Sequence, residues 1–352
     1  MGKKDACNRN DGKTGQGRWR DHTLRNRIQT YSILVSNSKV PYWTQQSIKN
    51  SAVWSDFYTR IEGDKEIDDF EHWFDREFET PAKPVFDKLL NGQKISYEES
   101  VVLSHFVFAQ YVRTPAAYLR LTEQNIKLFP KILEETTAKI NREAEKIRKG
   151  YPAFQFQKTV RESFFPMKVT VDKEQSLVEI KAVVGRGSYL DNLKHLLSST
   201  LKVAEHHDWR VLHASEDISF PTSDDPVICL NYRNADDYDL KGGWGRKNCN
   251  ILMPLSPRLI LFTQVGAKGP YKDLDHSPYY SKLFRRMIIQ HAHRYVYSDR
   301  PQKGMLELNA RVVNAQLYER EKQEMAGWHI EQIQAERGRV KIFSHFSLQA
   351  LA

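Results

Sequence analysis

The hydrophobic period of this 352-residue chain changes near Gly150, and no other feature constrains its fold as strongly. Before Gly150, apolar residues recur every three or four positions, which is the spacing of one face of an α-helix. After Pro152, apolar and polar residues alternate, which is the spacing of a β-strand. The order of the two patterns predicts an α+β protein, with a mainly helical N-terminal half packed on a β-rich C-terminal half.

The same boundary gives the predicted domain organisation. Residues 1–20 contain four glycines and no apolar periodicity, which indicates a flexible basic arm. A mainly helical half over 21–150 and an α+β half over 151–352 follow. One continuous domain from 21 to 352 is the alternative, because helices also precede strands within single α+β domains.

Local signals in the first half predict its helices. Four aromatic residues between 68 and 79 lie three and four positions apart and form an amphipathic stripe, which two prolines then interrupt. Ser96 and Glu99 match the capping-box pattern, and the apolar run over 101–112 that follows them predicts a central buried helix. A long, highly charged helix over 116–149 completes this half.

The second half is predicted to consist mainly of strands, and a further short hairpin is predicted near the N-terminus over 30–43. The other predicted elements are a hairpin over 167–185, a helix over 189–205, strands near 209–214, 227–230, 250–253 and 259–265, a helix over 280–295 and a last charged helix over 306–336.

The chain carries a formal net charge of +9, and its N-terminus is strongly basic. Eight Lys and Arg residues lie in residues 1–27, against three Asp residues. Such an arm could bind nucleic acid by releasing counterions from the phosphate backbone, and a solvated terminus is the alternative. No apolar run is long enough to span a membrane, and the N-terminus lacks the apolar region of a secretory signal. A cytoplasmic protein without a membrane partner is therefore predicted.

Several common sites are absent from the sequence. It has no Walker loop, no strand–GxGxxG–helix pattern and no nucleophile elbow, which disfavours common NTPases, nicotinamide dehydrogenases and α/β-hydrolases. Three scattered cysteines predict neither a disulfide framework nor a zinc site, and the spacing of His206, His207 and His213 matches no known zinc site. A loop over 242–247 joins Trp244 to two cations, which suits single-stranded nucleic acid, but a surface connection between strands is the preferred interpretation.

Five segments together resemble the domain of unknown function 4238 family. They are DFYT at 56–59 before a helix ending in EFE at 77–79, QYVRTP at 110–115, WRVL at 209–212 followed by FPTSDDPV at 220–227, MPLSP at 253–257, and AHRYVYS at 292–298. Asp225 stands where the family usually has Asn, and its Gln-His-x-x-Pro opening has no clear counterpart here. The resemblance implies a fold and a set of residues, but it implies no reaction.

The matching segments supply the candidate site residues, and we expect Glu79, Gln110, Arg113 and Asp224 to meet where the two halves join. In the functional interpretation, Glu79 and Asp224 bind a divalent cation such as Mg or Mn, which polarises a phosphate or activates water. Arg113 then holds a phosphate or carboxylate through its bidentate guanidinium. In the structural interpretation, Asp224 accepts hydrogen bonds within a turn, and Arg113 and Glu79 form an internal ion pair.

The sequence leaves open whether the protein is an enzyme. The leading hypothesis is a metal-assisted phosphodiesterase or nuclease-like enzyme with a role in bacterial defence, with Glu79, Arg113, Asp224 and Asp225 as catalytic residues. The residues expected to bind the ligand are Gln110, Ser223 and Arg294. The alternative is a non-catalytic module that binds nucleic acid or protein, in which the carboxylates are buried and paired.

Overall fold

The computed structural model describes residues 27–48, 51, 58, 60–62, 65–67, 69–149, 167–172, 177–182, 186–269 and 271–323. Its helices concentrate before residue 150. They are α1 (Asp69–Phe74), a π-helical turn (Asp75–Glu79), α2 (Thr80–Leu90), α3 (Tyr97–Val112), α4 (Pro115–Arg148), α5 (Arg186–His195) with a π-helical turn (Leu196–Thr200) and a 3-10 turn (Leu201–Val203), α6 (Pro278–His291), α7 (Met305–Leu308) and a helix over 315–323.

The strands form two larger sheets and three strand pairs. The strands are β1 (Arg27–Ser32), β2 (Leu34–Val35), β3 (Thr44–Ser47), β4 (Arg60–Glu62), β5 (Lys65–Ile67), β6 (Met167–Asp172), β7 (Leu177–Ala182), β8 (Arg210–His213), β9 (Thr222–Ser223), β10 (Ile228–Tyr232), β11 (Tyr238–Asp239), β12 (Cys249–Ser256), β13 (Leu259–Gln264), β14 (Tyr295–Ser298) and β15 (Val312–Val313). The sheets have the orders β11-β10-β12-β13-β8 and β3-β1-β14-β9, and the pairs are β2–β15, β4–β5 and β6–β7.

The five-stranded sheet lies between two helical layers, and its alternating residues separate two hydrophobic clusters. Cys229, Ile251 and Leu261 point to the side of the N-terminal helices, where they join a cluster that includes Leu103 and Val107 of α3. Residues on the opposite face pack against α6. They include Leu230, Leu252 and Phe262, and their partners on α6 include Leu283 and Phe284. One sheet thus provides both core surfaces, which explains why its central strands are apolar on both faces.

Helix α3 is the centre of the N-terminal layer, as its sequence predicts. Ser96 accepts a hydrogen bond from the backbone of Glu99, and the Glu99 carboxylate accepts one from the backbone of Ser96, which completes the capping box. At the other end, the Tyr189 hydroxyl donates to the carbonyl of Val112 (2.8 Å), and the Tyr58 hydroxyl donates to the carbonyl of Arg113. These bonds satisfy backbone groups that a helix end leaves without partners.

The α+β class is confirmed, with helices mainly in the N-terminal half and strands mainly in the C-terminal half, and three of the helix predictions are wrong. The two prolines do not interrupt the first helix, because a π-helical turn carries it directly into α2 and keeps Phe70, Phe74 and Phe78 in one cluster. Helix α6 ends at His291 rather than at residue 295. The helix predicted over 306–336 is broken at 309–314, where β15 pairs in parallel with β2. Its residues 324–336 lie outside the described part.

The connection before β12 differs from the predicted surface loop. Trp244 is only 6% exposed, and its ring packs edge-on against Phe108 with the ring centroids 4.9 Å apart. A large aromatic side chain next to a helix buries more apolar area there than it would on a loop surface. This tryptophan is therefore part of the core that joins the sheet to α3.

None of the described helices combines the length and the apolar character needed to cross a membrane. The predicted division at residue 150 stays a prediction.

Replacing Gly242 with Ala should destabilise the protein by about 1–3 kcal/mol, because the new methyl group has no room. An added Cβ would lie 2.5 Å from Cys249 Sγ and 2.6 Å from the backbone nitrogen of Leu230. Gly243→Ala is the matched control, since nothing lies within 4 Å of its Cβ. Urea unfolding of both variants measures the difference, and equal stabilities would contradict this account.

Candidate functional site

The QYVRTP segment forms the junction between α3 and α4. Arg113 follows the last residue of α3, and Pro115 is the first residue of α4, where a missing backbone N–H costs nothing. Between them, the Thr114 hydroxyl accepts a hydrogen bond from the backbone N–H of Ala117 (3.1 Å) and so caps α4. The segment ends one helix and starts the next within three residues.

The buried carboxylate of Asp225 binds this junction from the other half of the chain. Asp225 is 1% exposed. Its Oδ1 accepts from the Thr114 hydroxyl at 3.0 Å, and its Oδ2 accepts from Arg120 Nη1 at 2.5 Å. The same carboxylate faces the N-terminus of α4, whose dipole favours a negative charge there. The FPTSDDPV and QYVRTP segments therefore meet through Thr114 and Asp225.

The Arg120 guanidinium completes this charge pair. Burial works against its charge, but the hydrogen bond and the charge of Asp225 outweigh that effect and raise the pKa of Arg120. Its carbon Cζ lies 5.8 Å from the centroid of the Tyr111 ring, which adds a cation–π contact. Nη2 is buried and has no hydrogen-bond partner among the described residues.

Backbone contacts hold the loop that carries Asp225. The Asp225 carbonyl accepts from the Ser223 hydroxyl (2.9 Å) and lies 3.0 Å from His291 Nδ1, at the end of α6. His291 Nε2 is 3.7 Å from the carboxylate Oδ2. Burial lowers the pKa of His291, although Asp225 opposes this shift. His291 thus connects this loop to the end of α6.

Asp224 holds a different turn, the one between α6 and β14. Its carboxylate accepts from the backbone N–H groups of His293 (3.0 Å) and Arg294 (2.9 Å). Burial raises the pKa of Asp224 to about 6, against the opposing effect of these N–H donors. Burial also lowers the pKa of His293 to about 4, and the nearby charge of Arg294 adds to this. The Arg294 guanidinium forms an ion pair with Glu321.

Glu79 and Arg113 form an ion pair on the wall of an open cleft of about 590 Å³. Gln110 lines the same cleft, which lies between the first π-helical turn, α2 and α3. The Arg113 guanidinium also lies over the Phe74 ring, 4.8 Å from its centroid. We call this space the Glu79 cleft. It contains three of the residues that the sequence singled out.

The predicted site residues therefore divide into groups. Glu79, Gln110 and Arg113 share the cleft, Ser223 and Asp225 belong to the buried loop, and Asp224 and Arg294 lie at the α6–β14 turn. The sequence interpretation missed Thr114, Arg120 and His291 as partners of Asp225. Local periodicity could not find them, because Thr114 and Arg120 are more than 100 positions away from Asp225.

Within the described residues, one group of three side chains has the donor types and spacing for a metal ion. It consists of His213, Asp275 and His276, whose donor atoms all lie within 4.8 Å of one another. The two rings stack with centroids 4.7 Å apart, and His213 Nδ1 is 3.0 Å from Asp275 Oδ1. Neither Glu79 nor Asp224 belongs to such a group in this part of the chain. The predicted metal pair of Glu79 and Asp224 stays a prediction.

Asp225→Asn should lower the free energy of unfolding by about 2–3 kcal/mol. The amide oxygen can still accept from Thr114, but the charge that compensates Arg120 is lost. The expected loss is below the ~3–5 kcal/mol of fully buried pairs, because the Arg120 side chain is 41% exposed. Urea unfolding measures it, with the exposed Asp236→Asn as control. In an Arg120→Met background the same change should cost much less, and an undiminished loss there would contradict the charge pair.

Asp224→Asn should be least harmful at neutral pH. Because the folded-state pKa of Asp224 lies near 6 and the ordinary value is 3.8, the folded state binds more protons than the unfolded state between pH 4 and 6. The wild-type free energy of unfolding therefore loses this contribution as pH rises through that window, and Asn lacks the effect. Urea unfolding from pH 4 to 7 should show a shrinking gap between the two proteins. A gap that widens with pH would mean that the backbone donors outweigh burial.

Comparison with known proteins identifies a family. No curated protein and no solved structure matches the chain. The model of the family described as protein of unknown function DUF4238 matches residues 26–302 of the 352, a range that includes all five resembling segments and the three groups of predicted site residues. The chain therefore belongs to the DUF4238 family.

Proposed function

We propose that this protein is a protein-binding module, and that the Glu79 cleft receives a basic segment of its partner. The observation that carries the proposal is that each carboxylate a metal mechanism would use already has protein partners. Glu79 pairs with Arg113, Asp224 accepts from two backbone N–H groups, and Asp225 binds Thr114 and Arg120. A carboxylate engaged in this way must give up those bonds before it can act as a metal ligand or a base.

The apolar part of the cleft supports a side-chain ligand. Phe86 and Phe106 line it, and their rings meet edge to face with centroids 4.8 Å apart. Both are only partly buried. The alkyl stem of a Lys or Arg side chain packs well on aromatic rings, and its charged head is attracted to their faces.

The charged residues of the cleft determine whether it prefers a positively or a negatively charged ligand. Asp75, Lys83 and Asp87 are exposed at its rim, and Arg113 is already neutralised by Glu79. The remaining rim charges are thus two carboxylates and one ammonium group. This balance attracts a cation and repels a phosphate backbone, so a basic protein segment fits better than nucleic acid.

A labelled peptide of alternating Arg and Ala should bind the full chain, and Asp75→Asn combined with Asp87→Asn should weaken binding about tenfold. Fluorescence polarisation measures both affinities. Glu77→Gln is the matched control, because this exposed acid lies on the same turn, pairs with Arg76 and does not line the cleft. Tighter binding of an acidic peptide or of a single-stranded oligonucleotide, or an equal loss in the Glu77→Gln control, would contradict the proposal.

A metal-assisted phosphodiesterase with Mg or Mn is the second candidate, because Glu79 and Arg113 share an open cleft large enough for a nucleotide. Thermal unfolding with Mn²⁺ separates the two. A cation-induced rise in melting temperature that Glu79→Ala abolishes would favour the enzyme over the binding module. The basic arm over 1–20 lies outside the described residues, and its binding to nucleic acid stays a prediction.

A further inference from the structure

A second cavity, of about 160 Å³, lies on the opposite face of the five-stranded sheet, between the sheet and α6. Its floor is formed by residues of β10, β12 and β13 that point away from the N-terminal helices. Its roof is formed by α6 and by the segment that precedes it. The cavity is separate from the Glu79 cleft and shares none of its residues.

The lining is neutral and rich in aromatic side chains. Phe262, Tyr271, Tyr280 and Phe284 contribute rings, and none of the described residues around the cavity carries a charge. Phe262 and Tyr271 meet edge to face, with centroids 5.1 Å apart. A charged ligand would lose its hydration without gaining a counter-charge, so the occupant must be uncharged. Planar aromatic molecules suit walls of this kind.

Asn250 places a polar atom in this apolar surface. It lies on β12 between Leu230 and Gln264 of the neighbouring strands, all three of which line the cavity. Asn250 is 8% exposed, and its side-chain oxygen is buried with no hydrogen-bond partner among the described residues. A buried acceptor without a donor is costly, and because Asn250 belongs to the lining of the cavity, a donor on a ligand held there would satisfy it.

We propose that this cavity binds a small, neutral aromatic molecule with one hydrogen-bond donor, which the Asn250 side-chain oxygen accepts. The volume fits such a ligand, because an apolar protein cavity of about 150 Å³ is known to admit benzene. The rings of the lining supply the apolar contacts, and Asn250 supplies the orientation.

Phenol and toluene form the matched pair of probes, since they differ mainly in a hydroxyl group against a methyl group. Phenol should raise the melting temperature of the full chain, by about 2 °C at ten times its dissociation constant, and toluene should raise it less. Titration calorimetry should rank the two ligands in the same order. Equal effects, or no effect of either probe, would overturn the proposal.

Two variants locate the binding. Asn250→Leu keeps the side-chain size but removes the acceptor, so it should abolish the preference for phenol over toluene without lowering the melting temperature of the free protein. Leu283→Phe fills the cavity and should abolish the response to both probes, whereas Leu306→Phe adds the same bulk at a site that is 48% exposed and should not. A phenol response that survives in Leu283→Phe, or a preference that survives in Asn250→Leu, would refute this site.

Discussion

The buried carboxylate of Asp225 is the interaction on which the arrangement of the two halves depends. Taking an isolated carboxylate out of water is strongly unfavourable, so the charge is tolerable only if its surroundings supply donors and positive potential. Thr114, Arg120 and the N-terminus of α4 supply them from the helical half. The His291 ring contacts the backbone carbonyl of Asp225 and so connects the same loop to the end of α6. One residue, Asp225, thereby connects the α3–α4 junction, the loop between β9 and β10, and α6.

This arrangement gives the aspartate at position 225 a physical meaning. An asparagine there could accept from Thr114 but would leave the Arg120 guanidinium without a counter-charge. The aspartate and the arginine therefore depend on each other, since either alone would leave a partly buried charge uncompensated. The pair favours a bracing role for Asp225, because a carboxylate already bonded to Thr114 and Arg120 must give up those bonds before it can bind another ligand.

The sequence predicts those parts of the fold that local chemistry determines. The capping box at Ser96 and Glu99, the apolar run of α3 and the short apolar runs of β10, β12 and β13 can each be recognised within a few residues of sequence. The errors arise where distant contacts decide. The π-helical turn after Phe74 keeps an aromatic stripe on the core. The pairing of β15 with β2 joins residues nearly 280 positions apart. The partners of Asp225 are also remote in the sequence. The sequence therefore shows the motif that contains Asp225 but not the residues that bind it.

Satisfied and unsatisfied polar groups have different uses in this molecule. The carboxylates of Asp224 and Asp225 form hydrogen bonds within the protein. These bonds stabilise the α6–β14 turn and the contact between the Asp225 loop and the α3–α4 junction. The Asp75 and Asp87 carboxylates at the rim of the Glu79 cleft are exposed, and the Asn250 oxygen is buried without a hydrogen-bond partner among the described residues. Because a buried acceptor without a donor destabilises the folded state, the Asn250 oxygen beside a cavity is explained by a ligand whose donor completes it. Ligand binding by this chain is therefore best sought at the Glu79 cleft and at the cavity beside Asn250, and not at Asp224 and Asp225.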